Sequence, residues 1–198
     1  MAVRMKTRWH RSKRSRRNIE GSSREKTIAD LGGLVAINIW KLAEETYRRM
    51  LTDEFKILSD EQQLGMFKEF IAFQIPIVDR MVYGHYNDEK RAELINGVAK
   101  SLVDNMHNNA TEILGPGEHG NAFVSLLNER MSEYARCPFD AKEGPGFGFK
   151  RILGAKISDI MAATDNKWVI EHVAEVEAPE LIKQIQRLTQ GTLGLPRQ

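Results

Sequence analysis

Cysteine is almost absent: Cys137 is the only one in 198 residues. It has no partner within the chain, which excludes a disulfide scaffold and suits a reducing compartment, so a cytoplasmic location is expected. Long apolar runs are missing too. The longest, Leu31 to Trp40, contains Asn38 and is closed by Asp30 and Lys41, too short to span a bilayer. No apolar–polar alternation marks a strand, no hairpin dipeptide lies between strand-like runs, and no segment repeats at a fixed period. The spacings of a zinc finger, a P-loop, a dinucleotide fingerprint and a His-Glu-x-x-His zinc site are all lacking. What remains is ordinary globular composition, 41% hydrophobic and 28% charged, in a chain long enough to bury a core unaided.

The net charge of +2 conceals a strong asymmetry. Residues 1–17 hold eight cations (Arg4, Lys6, Arg8, Arg11, Lys13, Arg14, Arg16 and Arg17) and no acid, so the remainder carries 21 bases against 27 acids. Such a segment cannot bury enough apolar surface to offset its ordering entropy. An unstructured basic arm is therefore expected over residues 1–23, hinged at Gly21-Ser22-Ser23, with one folded domain over 24–198.

From Lys26 the apolar period is helical almost to the end. The first helix is expected over Thr27–Phe55, with a stripe of Ile28, Leu31, Val35, Ile39 and Leu42 widened by Trp40, Ala43 and Tyr47. Gly32 and Gly33 weaken its start, and close approach of a neighbouring helix would justify them. The second opens at Ser59 with Gln62 placed for a capping box. Leu64, Phe67, Ile71, Ile75 and Val78 form one apolar face, Phe70, Phe73, Ile77 and Met81 another, and Pro76 lies inside. A third runs from Asn87 to the Gly115-Pro116-Gly117 breaker, and a fourth over Asn121–Arg136. A long loop, Pro138–Gly148, precedes a fifth helix with Ile152, Leu153, Ile157 and Ile160. Thr164-Asp165 would cap a sixth, burying Trp168, Val169, His172 and Val176. Pro179 suits the first turn of a seventh, closed by Gly191. The fold class is all-α, a bundle of six to seven helices with a basic N-terminal arm.

Few residues suggest chemistry. The arm, with Trp9 and His10 among its cations, has the composition to neutralise phosphates without sequence readout, and Trp9 the shape to stack on a base. The same composition suits an anionic membrane surface, an organellar import segment, or a plain solvated tail. A di-iron bundle needs Glu-x-x-His on two helices; only Asp104-x-x-His107 approaches it, in one copy, so no metal or other cofactor is expected. Cys137 precedes Pro138 at a helix end, where the helix dipole opposes a thiolate, so a structural thiol is expected. Gly144-Pro145-Gly146-Phe147-Gly148, with Lys150 and Arg151 beyond it, could cradle a phosphate at a helix start. The simpler reading is a loop whose Phe147 and Phe149 tuck into the bundle. Asn128, Glu129, Arg130 and Glu133 with Arg136 suggest a surface ion-pair network.

Phe67, Phe70, Phe73 and Met81 are the candidate apolar pocket or interface. Apolar on two faces, the second helix is either wrapped completely by its own chain or covered in part by a second copy, and a homodimer is the favoured expectation. The functional reading is a non-enzymatic helical protein that binds other macromolecules, with the arm as an anion-binding element and the protein partner undefined. The alternative is a bundle holding a small apolar ligand or cofactor beside the second helix.

Overall fold

The computed structural model describes residues 26–52, 55–140, 143–161 and 168–196. The arm, including all eight of its cations, and the Thr164-Asp165 cap lie outside the described residues. Five long helices come first: α1 (Ile28–Thr52), α2 (Asp60–Val82), α3 (Asp88–Leu114), α4 (His119–Ala135) and α5 (Phe147–Ile160). A last rod joins α6 (Val169–His172), a π turn (Val173–Glu177) and α7 (Ala178–Leu193). The all-α class is observed. Two two-residue strands, β1 (Phe139–Asp140) and β2 (Gly144–Pro145), pair antiparallel inside the long loop and pinch it into a ribbon. No helix among the described residues is long and apolar enough to cross a membrane.

Local signals set most helix ends. Thr27 and Asp30 cap α1 reciprocally: the Asp30 N–H donates to Thr27 Oγ1 (3.1 Å) and the Thr27 N–H to Asp30 Oδ2 (3.0 Å). At α2 the Gln62 N–H donates to Ser59 Oγ (3.2 Å), while Gln62 Oε1 accepts from the Leu58 N–H (2.8 Å), one residue earlier than a capping box predicts. Asn87 Oδ1 accepts from the Lys90 N–H (2.9 Å) to open α3. The last helix ends at Gly194, in left-handed conformation (φ 66°), three residues beyond the expected Gly191.

α2 is the hub. It packs on α1, α3, α4, α5 and α7, and Phe67, Phe70 and Phe73 are completely buried with Met81 nearly so. Trp40 of α1 meets Phe67 edge-on at 4.9 Å; Phe73 meets Tyr134 of α4 at 5.8 Å and Phe149 of α5 at 6.3 Å. This corrects the expectation that these four side chains form a pocket or an intermolecular face. The chain's own helices close both faces, and no second copy is needed to cover them.

The glycines of α1 serve a contact within the chain. A Cβ on Gly32 would lie 3.1 Å from the Leu94 carbonyl oxygen and 3.2 Å from the Val98 nitrogen of α3, whereas one on Gly33 would meet nothing within 4 Å. The two neighbours should therefore respond oppositely to the same change. Gly32→Ala is expected to cost about 1–2 kcal/mol, since a backbone has little room to yield. Gly33→Ala should gain about 0.5–1 kcal/mol from helix propensity. Urea unfolding of both variants checks this, and equal effects would contradict the close α1–α3 crossing.

The sixth and seventh helices are one rod. Pro179 has no N–H to give, and the Ala178 N–H reaches back five residues to the Val173 carbonyl, making the π turn. The buried stripe is Val169, Val173, Ala178, Leu181, Ile182 and Ile185. Trp168 and Val176, expected inside, are exposed, and His172 is only partly covered. Glu177 is buried at the end of the π turn and anchored to α1 by Arg49, whose Nη2 lies 2.6 Å from Glu177 Oε2.

Candidate anion-binding groove

A buried ion pair fixes α4 against the hub. Arg130 donates from Nε to Glu69 Oε2 (2.8 Å) and from Nη2 to Glu69 Oε1 (2.9 Å), a two-pronged contact between side chains 8% and 3% exposed. Its remaining nitrogen, Nη1, donates to Glu129 (2.7 Å) and Glu133 (3.1 Å). Lys156 of α5 donates to Glu133 at 2.9 Å, so one network ties α2, α4 and α5 together. The bonds to Glu69 raise the Arg130 pKa, and the bond from Arg130 lowers that of Glu129. Burial pushes the Tyr134 phenol well above its ordinary value, helped by the Glu69 carboxylate; its ring stacks on Phe149 at 4.9 Å.

Beside this network the end of α4, the outer face of α5 and the start of α6 enclose a groove of 590 Å³. Two glycines of α5 let the walls approach. A Cβ on Gly148 would lie 3.1 Å from Cys137 Sγ, and one on Gly154 would lie 2.8 Å from the Ile170 carbonyl oxygen. Ile152, Ala155 and Ile170 give the groove an apolar side. Arg136, Arg151 and Lys156 give it three cations against one carboxylate, Glu133, which Lys156 and Arg130 already hold. Arg136 and Arg151 are exposed and make no ion pair among the described residues. Two uncovered rings lie close in the chain to residues that line the groove. Phe147 is 68% exposed one helical turn before Arg151, and Trp168 is 74% exposed two residues before Ile170.

Other grooves lack this balance. The one beside the π turn (620 Å³) sets Glu175, Glu177 and Glu180 against Arg49 and Lys183. That at the end of α7 (780 Å³) offers Arg187 among Asn38, Gln190 and Thr192.

Several expectations change at this site. The α4 network forms but extends inward to Glu69 and across to Lys156, while Arg136 stays outside it. Phe149 tucks into the bundle, but Phe147 does not, because the β1–β2 ribbon brings the chain into α5 with its first residue facing outward. Cys137 adjoins the first turn of α5 as well as the end of α4, its thiol 3.9 Å from the Glu133 carbonyl. His107 and His119 approach to 6.3 Å between ring centroids, with His119 Nε2 2.8 Å from the Gly115 carbonyl. Asp104 is bound to Lys100, and among the described residues no three His, Cys, Asp or Glu side chains gather to hold a metal. Glu69 gave one signal that was overlooked: a carboxylate between Phe67 and Phe70, in a helix otherwise apolar around most of its circumference, requires a buried partner. Comparison of the chain with protein-family models, curated proteins and solved structures finds no match.

Proposed function

We propose that this chain is a non-enzymatic helical protein that binds nucleic acid through its basic arm, in the cytoplasm, with the bundle as a scaffold. One observation carries the reading: eight cations and no acid in residues 1–17, attached to a body with six more acids than bases. Phosphates bound by such a segment release condensed counterions, a gain that needs no fixed geometry. The acidic body meanwhile repels the polymer from most of its own surface, which confines contact to the arm and to any locally basic patch. The alternative, a small apolar ligand beside α2, loses its support because Phe67, Phe70 and Phe73 have no exposed surface.

Fluorescence anisotropy with labelled duplex DNA across a salt series tests the proposal. With up to about eight phosphate contacts the log–log slope should approach roughly −7. Removing residues 1–17 should abolish binding while circular dichroism stays helical. Binding that survives the deletion, or that ignores salt, rejects the arm as its cause. Binding to vesicles of anionic lipid in preference to DNA would move the reading to a membrane surface.

A further inference from the structure

We infer that the groove bordered by Arg136 and Arg151 is a landing site for single-stranded nucleic acid, with Phe147 and Trp168 as stacking surfaces at its mouth. The inference rests on the nucleic-acid reading above and adds a second contact, on the folded body. Trp40, Tyr134 and five phenylalanines are completely buried, whereas Phe147 and Trp168, like Tyr83 beneath Arg91, leave about seven tenths of their surface in water. Each forgoes the gain of burial that its neighbours Phe149 and Val169 obtain. Phe147 lies one helical turn from Arg151 and Trp168 two residues from Ile170; those two residues line one groove, which carries two arginines without ion-pair partners among the described residues.

Geometry favours a single strand over a duplex. Phe147 and Arg151 share a face of α5, one turn apart. From Phe147 to Gly154, where the Ile170 backbone crosses, the helix rises about 10 Å. Ring, cation and apolar wall thus alternate along a short track. A phosphate backbone lying against Arg151 and Arg136 would turn its bases toward Phe147 and Ile170, and only unpaired bases have faces free to stack. An acidic peptide would use the arginines but has no need of two exposed rings.

The test uses the full chain, arm included, with fluorescein-labelled dT15, a 15-base-pair duplex and polyglutamate as probes at one moderate salt concentration. Phe147→Ala/Trp168→Ala should weaken dT15 binding about tenfold or more and change duplex binding less than twofold. Arg136→Ala/Arg151→Ala should weaken dT15 similarly and reduce the magnitude of its salt slope by about 1.4. Thermal unfolding of both doubles should match the wild type, since all four side chains are exposed. Unchanged dT15 affinity in the ring double, with duplex binding intact, overturns the groove and leaves the arm reading standing. Polyglutamate binding that falls with the arginines, with dT15 indifferent to the rings, also overturns it, as a general anion surface. A wild-type chain that binds neither nucleic acid overturns both readings together.

Discussion

Phe70→Glu and Phe73→Glu are each expected to leave the chain unfolded, or molten, at room temperature. Both rings are completely buried, three residues apart on the same apolar face of α2. Losing a buried phenylalanine costs about 3–5 kcal/mol, and placing an unpaired carboxylate in its site costs several more. A domain of this kind has about 5–15 kcal/mol in total, so either change is enough. Far-UV circular dichroism and urea titration read the result. The loss of folding in both is the informative part. If that face met a second copy of the chain, both variants would be folded monomers. A helical, cooperatively melting protein from either substitution would show that this face of α2 opens to solvent or to a partner.

The reason α2 could be recognised as apolar on two faces, yet not as the hub, lies in what periodicity reports. A helical stripe says how much surface must be covered, not by which chain. Glycine carries more: Gly32 and Gly33 together announced a close approach, but which of the two makes it, Gly32, and its partner, the Leu94–Val98 stretch of α3, were illegible. Where the sequence misled, the stripe of the last rod was read one residue out of register. Trp168, His172 and Val176 follow a four-residue spacing that reads as one buried face. The buried positions are Val169, Val173, Ala174, Glu177 and Ala178, one residue on from that spacing, and Glu177 reads as polar because its partner Arg49 belongs to α1. Trp168 and Val176 therefore face outward, while Val169 stays inside. Phe147 escaped recognition for a related reason: its exposure is set by the ribbon of Phe139–Asp140 with Gly144–Pro145, two residues a side and too short to show alternation.

The second large effect concerns Glu69 and Arg130, whose pairing no local pattern displays. Glu69→Ala is expected to cost about 3–5 kcal/mol, because it strands a nearly buried guanidinium whose two good acceptors have gone. Glu129 and Glu133 stay in reach, but both lie further out, where water screens them, and they replace only part of the loss. Arg130→Ala should cost a similar amount by stranding the carboxylate in the α2 core. Arg130→Lys should rescue little, since one ammonium cannot repeat the paired Nε and Nη2 contacts. Glu69→Leu/Arg130→Met, in contrast, should recover to within about 1 kcal/mol of the wild type, because removing both charges removes both desolvation penalties. Urea unfolding of Glu69→Leu, Arg130→Met and their double variant against the wild type gives the coupling energy directly. Additive losses in the double variant would mean that the two side chains contribute separately, through packing, and that the ion pair itself does not hold α4 to the hub. The double variant also carries a second reading. If it keeps wild-type stability but loses dT15 binding in parallel with Arg136→Ala/Arg151→Ala, the pair's role is to set the register of α4, and with it the position of Arg136 at the groove, and the network's worth lies in geometry more than in stability.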